Sequence, residues 1–145
     1  MISALDVASY ILLRNGPITA MKLQKLVYYC QAWSLVWDEE PLFGERIEAW
    51  ANGPMVRNLF DAHRGRFKVS RIPGGNSRRL NPTQRETVDA VLKFYGDKSS
   101  QWLSDLTHME APWRDTRARA SLAEGERGNA VIRRADMAEY YDGLS

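Results

Sequence analysis

Apolar residues recur at helical spacing along most of this chain. Between Ser3 and Arg14 they fall at Leu5, Ala8, Ile11 and Leu12, with Val7 and Tyr10 broadening the stripe. That is the one-face pattern of an amphipathic helix. Asn15-Gly16-Pro17 stops it, because glycine and proline end helices. Thr19 is placed to cap a second helix over Ala20–Trp37. Its apolar residues do not keep to one stripe. Leu23, Leu26, Val27, Cys30, Trp33 and Trp37 make one face, and Tyr28, Ala32, Leu35 and Val36 carry it round most of the circumference. A helix that is apolar nearly all round is buried on several sides. The pattern therefore predicts a central helix.

Arg46–Trp50 alternates Ile47 and Ala49 against Glu48 and Trp50, the pattern of a short strand or an extended link. Gly53-Pro54 signals a turn, and Pro54 suits the first position of a helix over Met55–His63, with Val56, Leu59 and Phe60 inward. Gly65–Arg79 has no helical period. Ile72-Pro73-Gly74-Gly75-Asn76 is turn chemistry, and every charge from Arg64 onward is basic: Arg64, Arg66, Lys68, Arg71, Arg78 and Arg79. Residues 65–79 are expected to form a mobile basic loop. Asn81, Pro82 and Gln84 then spell a capping box for a helix through Val88, Val91, Leu92 and Tyr95, ended by Gly96. Ser99 or Ser100 opens a short helix through Trp102, Leu103 and Leu106. Ala111-Pro112-Trp113 opens another, reaching about Ala123. After the glycines at 125 and 128, Val131-Ile132 leads into a last helix over Asp136–Tyr141. The sum is an all-α or nearly all-α fold: one compact domain over 1–145, six to seven short helices around a buried central helix (20–37), and at most a minor β element.

Composition changes this picture little. A chain of 145 residues, 44 % hydrophobic and 26 % charged, is ordinary for one globular domain. The net charge of +2 argues against a dedicated nucleic-acid binder, which usually carries a strong basic excess. The single cysteine, Cys30, lies in an apolar run and reads as a small core hydrophobe in a reducing compartment. No run approaches the ~20 apolar residues of a membrane span. No basic-then-apolar leader opens the sequence, so a cytoplasmic location is expected.

Candidate chemistry is sparse. The two histidines, His63 and His108, have no second histidine or cysteine at ligand spacing, so neither metal nor cofactor is expected. His108 and Glu110 pair an imidazole with a carboxylate, but their neighbours are Pro112 and Trp113, and no nucleophile accompanies them. Their expected role is structural, with Thr107 and His108 meeting free carbonyls at a helix end and Glu110 meeting free N–H groups at the next start. There is no phosphate loop. The first two helices have the length of a helix-turn-helix, yet the second is too apolar to lie in a groove. Of the five tryptophans, Trp33 and Trp102 are expected in the core, and Trp37 and Trp50 on a binding face with the basic loop.

Thr19–Trp33 (TAMKLQKLVYYCQAW) closely resembles the signature helix of the Panacea family of SocA- and GepA-like antitoxins. Pro41–Phe43, Ile47–Trp50 and Gly53–Val56 resemble its second block, Leu106–Trp113 (LTHMEAPW) its third, and Ile132–Tyr141 its closing segment. The resemblance implies an antitoxin, often phage-associated and encoded beside its toxin, that binds and neutralises a cognate protein toxin. Some members of the family are similar to proteolytic adaptors that deliver the toxin to an ATP-dependent protease. No enzymatic activity is implied. Three positions depart from the family pattern: Cys30 for a small residue, Asn52 for an aromatic before Gly53-Pro54, and Arg133 for a capping serine.

The family blocks also have a physical reading. Leu23, Leu26, Trp33, Gly53, Pro54, His108, Glu110, Pro112 and Trp113 are expected to be structural. Lys22, Lys25 and Tyr29 share one helix face by 3/4 spacing and form a candidate partner-binding stripe. Its bland alternative is lysines snorkelling over core edges. Trp37, Trp50, Arg64, Arg66 and Arg71 complete the candidate partner surface. A DNA- or RNA-binding regulator using residues 64–79 is the alternative function.

Overall fold

The computed structural model describes all 145 residues. In chain order the elements are α1 (Ala4–Asn15), β1 (Ile18–Thr19), α2 (Ala20–Trp37), β2 (Ile47–Trp50), β3 (Gly53–Met55), α3 (Arg57–His63), β4 (Lys68–Val69), α4 (Pro82–Tyr95), α5 (Ser100–Met109), α6 (Ala111–Arg119), β5 (Val131–Ile132) and α7 (Arg134–Asp142), with a 3-10 turn at Ser77–Arg79. α2 is the axis. It packs against α1, α3, α4, α5 and α7. Every residue from Leu23 to Ala32 is buried, including Gln24, Lys25 and Gln31. A helix in that position cannot enter a nucleic-acid groove.

The local signals that start helices act as their chemistry predicts. Ser3, Thr19, Asn81 and Ser99 each accept a backbone N–H of the first turn through their side-chain oxygen, and Asn81 and Gln84 form the reciprocal box. Boundaries that depend on packing differ from the expectation. α5 runs on to Met109, α6 stops at Arg119, and α7 begins at Arg134. Arg133, at the cap position of α7, makes no side-chain capping bond.

The β content exceeds one minor element. β1 pairs antiparallel with β4, and β3-β2-β5 form a three-stranded antiparallel sheet. Pro54 does not open a helix. It lies in β3 opposite Ala49. β3 is an edge strand, where the missing N–H of proline is tolerated, so the helix starts later, at Arg57. Segment 65–79 is not a free loop either. Val69 and Ile72 are buried, Phe67 accepts the Ala20 N–H at 2.9 Å, and the Asn76 N–H donates to buried Asp6 at 2.8 Å. Arg79 pairs with the same Asp6 at 3.2 Å.

Candidate functional site

The polar residues of α2 act as pins. Gln24 accepts the Val56 N–H at 3.0 Å and donates to the Val56 carbonyl at 3.3 Å, holding the end of β3. Its amide nitrogen also donates to His63 Nε2 at 3.1 Å, which makes that nitrogen an acceptor. Burial lowers the His63 pKa, in keeping with a neutral ring. Gln31 accepts the N–H groups of Leu42 and Phe43 and donates to the Phe43 carbonyl at 3.0 Å. No buried side-chain nitrogen or oxygen in the molecule lacks a partner.

The stripe of Lys22, Lys25 and Tyr29 belongs to this scaffold. Lys25 is only 1 % exposed, and its ammonium donates to the Asn52 carbonyl at 2.9 Å, bracing the β2–β3 turn from below. Burial pushes its pKa down to about 8. Gly53 makes room for it: φ there is +119°, and a Cβ would lie 3.0 Å from Lys25 Cε. Lys22 is half-buried and donates to the Gly96 carbonyl at the end of α4, at 2.7 Å, where a cation meets the negative end of the helix dipole. Tyr29 is fully buried. The bland alternative for the stripe therefore describes Lys22 alone. Lys25 and Tyr29 are interior groups and present nothing to a partner.

Tyr29 leads to Glu110. Its hydroxyl donates to Glu110 Oε1 at 2.6 Å, and Tyr141 donates to the same oxygen at 2.8 Å. Tyr141 has one hydrogen and spends it there, so Tyr28, 2.9 Å away, donates to Tyr141. Burial raises the pKa of Glu110 and of all three tyrosines, and the two hydroxyls offset part of the rise at Glu110. Glu110 therefore does not meet free N–H groups at the start of α6, as its position suggests. His108 does not meet free carbonyls at the end of α5: Nδ1 lies 2.6 Å from the Ser104 carbonyl, one turn back within the helix, and Nε2 3.3 Å from that of Ala51 in the β2–β3 turn. The two residue types of an acid–base pair thus face different partners. No group of three His, Cys, Asp or Glu side chains could hold a metal ion.

The third block closes on the second. Pro112 and Trp113 are buried, and the Trp113 indole donates to the Trp50 carbonyl at 2.8 Å. Leu23 and Leu26 lie in the core, and Trp33 is half-buried with its indole donating to the Tyr95 hydroxyl. Trp102 is not in the core. It is 42 % exposed, because α5 turns Leu103 and Thr107 inward.

The expected binding face separates into two places. Trp37 is 47 % exposed and stacks on Trp33 at 5.0 Å, at the C-terminal end of α2. Trp50 lies in an open groove near the other end, lined with Met21, Asn52, Met55, Arg57, Phe60 and Arg127 and enclosing about 620 Å³. Met21 and Trp37 are roughly 24 Å apart along the helix at about 1.5 Å per residue. Arg57 lies over the Trp50 ring at 5.4 Å, and Arg64 over the Phe60 ring at 5.3 Å. Of the basic residues singled out in the sequence, Arg64 adjoins the groove, and Arg66 and Arg71 are exposed beyond it. Arg57 and Arg127 were not singled out, and Phe60, expected to face inward, is half-buried and lines the groove. A tryptophan and a phenylalanine bracketing a turn were the available signal.

A family model described as "Antitoxin SocA-like, Panacea domain" matches residues 23–114. No curated protein and no solved structure matches the chain. The matched region runs from within the pinned helix through the hairpin and α3 to the indole that closes on Trp50, and leaves Met21 and Arg127 of the groove outside it. The chain belongs to the SocA-like Panacea antitoxin domain family.

Proposed function

We propose that this protein is an antitoxin that acts by binding and neutralising a cognate protein toxin, with no catalytic activity of its own. One observation carries the reading beyond the family. Most polar groups of the signature helix are consumed inside the fold, whereas an aromatic and cationic groove opens to solvent beside it. Side chains tied into loops and helix ends support a surface, and aromatic residues with arginine are the usual anchors of protein–protein binding. The partner is a protein toxin. Neutralisation proceeds either by occlusion of the toxin or by its delivery to an ATP-dependent protease.

Co-expression with the product of the neighbouring reading frame tests this. The expected outcome is growth rescue together with a complex that survives purification. A harmless neighbour, or a toxin that never co-purifies, overturns the reading. Toxin half-life after translation arrest separates the two routes: delivery shortens it and occlusion leaves it unchanged.

A further inference from the structure

The groove beside the β2–β3 turn combines two chemistries. Its floor is apolar, built from Met21, Trp50, Phe60 and buried Met55. Its rim is cationic, with Arg57 and Arg127 lining it and Arg64 seated over Phe60. The anions close by are already engaged. Glu48 is 2.8 Å from both Arg57 and the Trp50 indole, and Asp61 is 3.3 Å from Arg64. Glu48 is buried, whereas the Arg57 side chain remains 54 % exposed. The guanidinium keeps donors for a further carboxylate, since its planar fork carries five N–H groups.

Arginines and aromatic rings also suit single-stranded nucleic acid, where bases stack on open ring faces. Here the rings are engaged by their own neighbours. Trp50 and Phe60 pack edge-on at 5.0 Å, Arg57 lies over Trp50, and Arg64 over Phe60. An amino-acid side chain needs only the apolar wall, and methionines adapt to its shape.

Resting on the antitoxin reading, we propose that this groove receives an acidic segment of the partner protein. An apolar side chain seats against Trp50 and Phe60, and flanking carboxylates meet Arg57 and Arg127. A volume of about 620 Å³ lies within the ~300–1,000 Å³ typical of ligand pockets, enough for one large side chain and its neighbours.

The test has two arms. In the first, the full chain is titrated by NMR with acetyl-Glu-Asp-Leu-Phe-Asp-Glu-amide, with a counterpart bearing lysine in place of each acid, and with a short oligothymidine. Saturable shifts at the Trp50 indole and at Phe60 are expected with the acidic peptide only. They should vanish in an Asn52→Glu/Arg127→Glu chain whose thermal midpoint is unchanged. Silence with the acidic peptide, equal shifts with the lysine peptide, or a response to the oligonucleotide alone overturns the proposal. In the second arm the neighbouring gene product is the ligand. The double variant should bind it at least about tenfold more weakly, a change of about 1.4 kcal/mol, and Lys93→Glu, an exposed position on α4 outside the groove lining, should bind as the wild type does. A double variant that holds the toxin as tightly as the wild type removes the groove and leaves the antitoxin reading standing. A wild-type chain that takes the acidic peptide and no toxin does the reverse.

Discussion

A carboxylate buried among aromatic rings is unfavourable unless donors meet it. At Glu110, Tyr29 and Tyr141 supply two, from helices α2 and α7. Tyr29→Phe removes one donor and leaves the carboxylate in place. Equilibrium unfolding in urea should show a loss of about 1–3 kcal/mol, the range for stranding a buried polar partner. Affinity for the toxin should not change, because Tyr29 is interior. Lys25 behaves differently. Its pKa is pushed down to about 8 in the fold, so the unfolded chain binds this proton more tightly. This group's contribution therefore raises stability as pH climbs from about 8 toward the ordinary lysine range. Lys25→Met abolishes that gain. Urea unfolding at pH values of about 7.5 and 9.5 should show the wild type gaining on the variant as pH rises, because tyrosine ionisation in the unfolded chain is common to both and cancels in the difference. Equal differences at both pH values would contradict the assignment.

At the scale of elements, the β2–β3 hairpin carries the geometry on which the groove depends. Gly53 sits at φ +119° above Lys25. Gly53→Ala should destabilise the chain by about 1–3 kcal/mol, as a side chain forced into that backbone region does. Thermal unfolding measures it. Helix starts were legible in the sequence because a cap is local: Asn81, Pro82 and Gln84 carry their whole signal within four positions. β3 was not legible. Pro54 suits a helix start and an edge strand equally, and only Ala49 across the hairpin decides between them. The β1–β4 pair was invisible for the same reason, since Ile18 meets Val69 through tertiary folding. Lys25 and Tyr29 were misplaced because 3/4 spacing gives a shared face and says nothing about what covers it.

For the whole molecule, the basic segment matters through its attachment. Asp6 accepts the Asn76 N–H and pairs with Arg79 while also closing the capping box of α1. Asp6→Asn weakens both attachments. Hydrogen exchange should then accelerate across residues 74–79, with α4 protected as before, since segments open independently where local contacts are few. Unaltered exchange there would mean that Val69 and Ile72 alone hold the segment. The candidate groove was half legible. Trp50 and Arg64 stood out by residue type, whereas Arg57, Phe60 and Arg127 became neighbours only when the hairpin, α3 and residues 127–129 converged. The region matched by the family is also not self-sufficient in this fold: Tyr141 lies outside residues 23–114 and supplies one of the two donors to Glu110.

The pins on α2 have a consequence for how such a surface can change. Apart from the Gln24–His63 bond, Gln24, Lys25 and Gln31 hold neighbouring segments by the backbone N–H and carbonyl groups of those segments. Those backbone grips do not depend on the side chain at Asn52, Val56, Leu42 or Phe43. The outward side chain at Asn52 can be rewritten without loosening the frame beneath, whereas Arg57 is tied to buried Glu48. Loop grafting between relatives should therefore transfer recognition as a cassette, and the interior helix need not be altered to receive it.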